Sequence, residues 1–296
     1  MSSEQQRRHD RAGERTRRHP PPPAPEPLAV PVLDSHTHLD LLGGDPDRQI
    51  DAARAAGVDR LVQVGVDVTS SRWAVELAQS RPPVVAAVGI HPNEAPRLSD
   101  LDGALRAIEQ LAAHPRVRGI GETGLDTFRT GPEGRDAQEA AFRAHIAVAK
   151  RYGRPLIVHD RDAHADILRI FDQEGAPDTV VMHCFSGDAG FARECARRGF
   201  VLSFSGTVTF RNAPQLRDAA RTCPTDQMLV ETDAPYLAPV PYRGRPNAPY
   251  LIPLTVRALA GTIGIEVEQI CTAISGTGER VFGPWSAASA GRRPAT

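Results

Sequence analysis

Residues 153–184 read GRPLIVHDRDAHADILRIFDQEGAPDTVVMHC. Two short apolar runs, LIV before His159 and VVM before His183, flank a stretch whose apolar residues Ile167, Leu168, Ile170 and Phe171 recur at helical spacing. Gly175 then stops the helix. Strand, helix and strand in so short a span imply parallel strands joined by a crossover. Each strand ends in a histidine.

The same unit recurs outward in both directions. Strands are expected near Val32–His36, Arg60–Val66, Val84–Ile90, Val117–Glu122, Pro155–His159, Thr179–Cys184, Phe200–Ser205 and Met228–Asp233. Helices are expected over Pro46–Ala56, Ser70–Ser80, Leu101–His114, Arg135–Tyr152, Ala163–Glu174, Ala189–Arg198 and Ala213–Thr222, with a final pair within residues 253–275. Gly57, Gly153, Gly175 and Gly199 follow helices, and Asp45-Pro46 and Asn212 suit helix starts. Eight such units predict a single-domain α/β protein, a TIM-like (β/α)8 barrel over residues 31–284. A doubly wound open sheet is the alternative.

Residues 1–30 are rich in Arg and Pro and predict a disordered tail; residues 285–296 predict a flexible C-terminal one. Arg7-Arg8 and Arg17-Arg18 raise the twin-arginine export signal, but a proline run follows where an apolar segment is required. No apolar stretch approaches a membrane span. The 296 residues carry a formal net charge of −1, which argues against a basic nucleic-acid coat protein. Cys184, Cys195, Cys223 and Cys271 lack CxxC spacing and read as reduced core thiols of a cytoplasmic protein. Cys184 is expected to point away from its neighbour His183 into the helix layer.

The polar residues that interrupt this pattern gather at strand ends. His36 and His38, His91, Glu122, His159, His183 and Asp233 all follow apolar runs. In a parallel barrel those ends form one face, where active sites lie. His36 and His38 are two residues apart on a strand, so both point the same way and can reach one cation. A lone histidine is more often structural than a ligand, and His114, His145 and His164 read that way. Imidazoles and carboxylates converging together point to divalent cations such as Mg, Mn or Zn. The set exceeds what one catalytic ion uses, and a glutamate can bridge two.

The motifs DSHTHLD (34–40), GIHP (89–92), GETGLD (121–126), IVHDRDA (157–163), HCFSG (183–187), FSGTVTFRNA (204–213), ETDAPYLAP (231–239) and PYRGRPN (241–247) resemble, in order, those of the TatD family of metal-dependent deoxyribonucleases. The resemblance implies a two-metal hydrolase of DNA phosphodiesters, with an exonuclease acting on single strands or 3′ ends expected. By it, His36, His38 and Asp233 hold one ion, Glu122 bridges, and His159 and His183 hold the other. His91, Arg161 and Arg243 fall in motifs placed to contact substrate phosphate. Asp233 is the candidate general base; Glu231 is expected to orient a ligand, and Asp34 to do so for His36. Two positions depart from the pattern: Arg245 replaces a usual Lys, and Thr277 a usual Asn, which bears on the last helix.

Hydrolysis of an ester or amide bond, an aminoacyl-tRNA ester included, is the alternative chemistry on such a platform. A carboxylated Lys often bridges the metals in those hydrolases, whereas Glu122 takes that place here. A binding protein with a dead site is the third reading, opposed by six competent ligand positions. A monomer is expected.

Overall fold

The computed structural model describes residues 20–285. Eight strands appear in chain order: β1 Val32–Thr37, β2 Val58–Val64, β3 Val84–Val88, β4 Val117–Asp126, β5 Leu156–Arg161, β6 Val180–Met182, β7 Val201–Phe204 and β8 Met228–Val230. All neighbours pair in parallel in the order β1 to β8. A bridge from Thr37 to Ala234 brings the last strand end back to the first. This is the barrel expected from the alternation, and the doubly wound alternative falls because that sheet would be open-edged with a strand-order reversal.

The strands are almost wholly buried because they face packed side chains on both sides. Val85, Val88 and Ile157, for example, have essentially no exposed surface. Phe142 and Phe171, from the helices Arg135–Tyr152 and His164–Glu174, meet edge to face at 5.4 Å in the outer layer. Gly153 ends the first of these helices in the left-handed region (φ 58°), where its N–H satisfies the carbonyls of Ala149 and Lys150. Asp45 caps the helix Pro46–Ala55 as anticipated. Asn212 does not cap Pro214–Thr222; its Oδ1 accepts from Arg243 Nη1 at 3.2 Å instead.

Boundaries shift where local pattern is silent. β4 runs four residues beyond the anticipated end, to Asp126. The final helix Val267–Phe282 is continuous through Gly276, Thr277 and Gly278, so a threonine there is compatible with the helix. Thr277 Oγ1 donates to the Asp226 carbonyl at 3.1 Å.

The expected tail at 1–30 divides. Residues 1–19 lie outside the described residues, but 20–30 lie along the barrel. Tyr250 Oη donates to the Pro22 carbonyl (2.6 Å), Arg257 to those of Glu26 and Pro27, and Leu28 N to that of Ala56. Prolines have no N–H to satisfy, so their carbonyls alone need partners, and these side chains supply them. At the other end Trp285 is buried against Phe282; residues 286–296 lie outside the described residues.

His145, read from sequence as a non-ligand, is a buried packing residue. Its Nδ1–H donates to the Ala141 carbonyl (2.6 Å) and Nε2 accepts from Ile90 N–H (3.0 Å). Burial pushes its pKa down from 6.5 to about 4. The unfolded chain therefore binds this proton first as pH falls, and stability is lost progressively from about pH 6.5 to about pH 4. The loss is expected to reach about 3 kcal/mol. A His145→Gln variant, followed by denaturant unfolding over that range, should lack this component. Asp34, pushed up to about 7 mainly by burial, acts in the opposite direction in both proteins and cancels from the difference. Identical pH dependence in parent and variant would remove His145 as the cause.

Candidate metal centre

The strand ends bring the anticipated residues together. His36 and His38 leave β1 buried, and their Nε2 atoms lie 3.3 Å apart. His38 Nδ1–H donates to the Val64 carbonyl at 3.0 Å. That bond occupies Nδ1 and leaves Nε2 facing the centre. Glu122 Oε2 stands 3.4 Å from His36 Nε2, and Asp233 Oδ1 stands 3.4 Å from His38 Nε2. Asp233 adopts a left-handed backbone (φ 52°), and its N–H bonds the His36 carbonyl at 2.9 Å. The chain thus turns sharply after β8 and keeps the carboxylate beside β1.

The other oxygen of Glu122 faces a second set. Oε1 lies 2.8 Å from His159 Nδ1, 3.3 Å from His183 Nε2 and 3.3 Å from His91 Nε2. One carboxylate is shared between two imidazole groups. His183 stacks on His36 at 3.6 Å between ring centroids, so the groups adjoin. Three ligand sets result: His36, His38 and Asp233; His36, Glu122 and His183; His91, Glu122 and His159.

The donors suit divalent ions. Four ligands at about 2.1 Å around an ion lie about 3.4 Å from each other. The 3.3–3.4 Å separations above match that edge. The electrostatics agree. Burial would raise Glu122, but the charges of His91 and His183 and the bonds from His159 and His183 hold it well below the carboxylate range. Burial would lower His38, yet Asp233 pulls it up to about 9. Buried carboxylates that draw protons onto their imidazole neighbours call for positive charge, which cations would supply.

Around this centre lie carboxylates that touch the imidazoles. Glu231, fully buried, places Oε1 2.9 Å from His183 Nδ1, off the hydrogen-bond line, and accepts from Cys184 N–H at 3.0 Å. The imidazole it faces is that of His183. Asp34 departs from expectation. Its Oδ1 accepts from the backbone N–H of His36 (3.2 Å) and of Thr232 (2.9 Å), so it ties β1 to the end of β8 rather than holding an imidazole. Cys184 also departs: it is half-buried at a left-handed turn (φ 44°), with Sγ 3.4 Å from Ser205 Oγ, outside the apolar core.

Asp126 was missed. Its Oδ2 lies 3.3 Å from His159 Nε2 and accepts from Asn93 Nδ2 at 2.8 Å. The signal was present in GETGLD, four residues past Glu122 on the same strand face. Gly124, between them, has φ 133°, and a Cβ there would come within 2.1 Å of the His159 carbonyl. Only glycine lets β4 lie this close to β5. His91, expected as a substrate contact, stands inside the imidazole–carboxylate cluster. Arg161 and Arg243 are on the rim instead, over the rings of Phe128 (4.2 Å) and Phe210 (4.3 Å).

Glu231→Gln removes the carboxylate charge beside His183 Nδ1 and is expected to weaken cation binding at the second set about 10–100-fold. Calorimetric titration of the metal-stripped protein with Mn or Zn checks this; equal affinity in parent and variant would leave Glu231 with a packing role only.

Comparisons with known proteins agree with this geometry. Residues 33–283 match the family described as TatD related DNase. An uncharacterized metal-dependent hydrolase TatD of Mycobacterium tuberculosis is 45% identical over 260 residues, covering 85% of this chain and 98% of that protein. A Citrobacter rodentium protein named as a 3′-5′ ssDNA/RNA exonuclease TatD is 35% identical, covering 81% of this chain and 92% of its own length. The crystal structure of YjjV, a TatD homologue from Escherichia coli, superposes with a TM-score of 0.80 at 27% identity, covering 86% of this chain and 98% of that one. The barrel, the convergent histidines and carboxylates and these similarities together place the chain in the TatD family of metal-dependent hydrolases.

Proposed function

We propose that this hydrolase cleaves phosphodiester bonds of single-stranded DNA from a 3′ end, using two divalent ions. The observation that carries the reading is the division of Glu122, one oxygen toward His36 and the other toward His159 and His183. His36, His38 and Asp233 would hold one ion, His159 and His183 the other, and Glu122 both. Mg, Mn and Zn all suit this ligand chemistry. Bound ions of this kind lower the pKa of water and offset charge on phosphoryl oxygens. The family match and the nuclease name of one relative support DNA over an amide or small ester.

The residues divide the remaining work. Asp233 is kept ionised, because bonding from His38 and the charges of His183 and His38 overcome the effect of burial. It can therefore receive the proton of the attacking water. Its side chain is the more exposed of the two carboxylates, so solvent reaches it where it does not reach Glu122. Arg161 and Arg243 on the rim can bind phosphate oxygens through their guanidinium groups. Free thiols at all four cysteines support a cytoplasmic setting. Among the described residues no single helix is long and apolar enough to cross a membrane.

A labelled single-stranded oligonucleotide with Mg or Mn should be shortened from its 3′ end, and EDTA should stop the reaction. The His36→Ala, His38→Ala double variant should lose both cleavage and one equivalent of metal by elemental analysis. Metallated protein that leaves DNA intact would redirect the reading to an ester or amide substrate. Asp233→Asn should lower kcat at least about 100-fold, the scale of a lost general base. Near-parent kcat with full metal content would remove Asp233 from that role.

A further inference from the structure

Phe128 and Val240 are the exposed large apolar side chains among the described residues, and both sit on loops at the C-terminal ends of the strands. A solitary exposed apolar side chain is ordinary on a protein surface. Phe128 differs in three respects. It is 65% exposed, yet one ring face is covered by the guanidinium of Arg161 at 4.2 Å. The opposite face is left to solvent. It is also rigidly mounted. Asp126 Oδ1 accepts from the N–H groups of Phe128 (3.0 Å) and Arg129 (2.8 Å), and Thr127 bonds the Arg161 and Asp162 carbonyls. Finally, the same Asp126 reaches His159 through its other oxygen, so the turn that carries Phe128 is fastened to the wall of the metal centre.

The opposite rim has the inverse arrangement. There Phe210 is half-buried against the core and Arg243 lies exposed above it, 4.3 Å from the ring and braced by Asn212. With strands ordered β1 to β8 and the ring meeting at Thr37 and Ala234, the loop after β4 lies across the barrel from the loop after β8. One side of the metal centre thus offers an aromatic face, the other a cationic one.

We infer that Phe128 is a nucleobase-stacking platform: it takes one base of a single-stranded nucleic acid on its open face, while Arg243 across the barrel takes a backbone phosphate. An aromatic ring accepts any base, because each has a π-face, and an arginine on the far side of the ring adds a cation–π contact. Stacking one unpaired base and gripping one phosphate fits a single strand whose bases are free, and not a paired duplex. The position of a base on Phe128 would set which phosphodiester reaches Glu122 and Asp233. This assignment rests on the proposed nuclease function.

The test uses full-length, metal-loaded protein and a short single-stranded DNA carrying 2-aminopurine, whose emission is quenched on stacking. Titrated into the Asp233→Asn protein, the probe should be quenched at one nucleotide position. Adding Phe128→Ala should remove most of that quenching. In cleavage assays Phe128→Ala should raise KM about ten-fold, more than it changes kcat, and Phe128→Trp should restore it. An abasic site at the quenched position should penalise the parent and not the alanine variant. If the parent cleaves DNA while Phe128→Ala leaves KM and quenching unchanged, the platform is wrong and the nuclease reading stands. If the parent neither binds nor cleaves the oligonucleotide, both fall.

Discussion

A glutamate with almost no access to water sits at the centre of this barrel, and the rest of the active face is arranged so that it can stay ionised. Removing a carboxylate from water costs several kcal/mol unless charge and hydrogen bonds replace the hydration. Glu122 is 3% exposed, and imidazoles from β1 and β5 and from the residues that follow β3 and β6 surround it. The barrel can supply them because parallel strands end on one face with their termini a few ångströms apart. An antiparallel sheet would send alternate strand ends to opposite sides.

Two irregularities of the sheet aim the ligands. The register between β1 and β2 slips by one residue between Asp34 and Thr37, and that between β4 and β5 slips between Ile120 and Thr123. Each slip contains a candidate ligand, His36 in one and Glu122 in the other. A bulge turns a side chain that regular pleating would place elsewhere. The ends of β1 and β8 are then tied by Asp34, whose carboxylate accepts the backbone N–H of Thr232 across the seam and that of His36 on its own strand. Outside the ring of imidazoles, Glu231 and Asp126 each face a histidine that faces Glu122, so rings on that side of the centre are held between two carboxylates. Such pairing limits ring rotation, which a site for small cations requires.

The rim has a different character from the floor. The floor is buried, charged and rigid. The rim carries guanidinium groups lying on aromatic rings, one aromatic outward and one inward. Arginine stacked on a ring keeps its outer N–H groups free, so it can bind an anion without losing its position. On the proposed function, chemistry would belong to the floor and choice of substrate to the rim. Relatives on this fold can share the metal centre while differing in what they cleave.

Much of this was legible in the order of residues. Short apolar runs alternating with helical periodicity are buried by parallel strands under helices, so the α/β class follows from local pattern, while closure of β8 onto β1 was decided by the tertiary structure. His36-x-His38 shares a strand face by period two, and the histidines after β5 and β6 stand at strand ends by position alone. What linear pattern could not carry was anything dependent on a partner strand. The two register slips, the Nδ1 bond that fixes His38 to Val64, the pairing of Asp34 with backbone instead of an imidazole, and the reach of Asp126 to His159 all involve segments far apart in the chain. Residues 20–30 are a further case. Their composition lacks the apolar content to fold alone, yet side chains of Tyr250 and Arg257, more than two hundred residues away, bond their carbonyls. Local sequence determines which segments form strands and helices, because those depend on neighbours a few residues apart. Which atoms meet across strands depends on packing, and only the tertiary structure decides it.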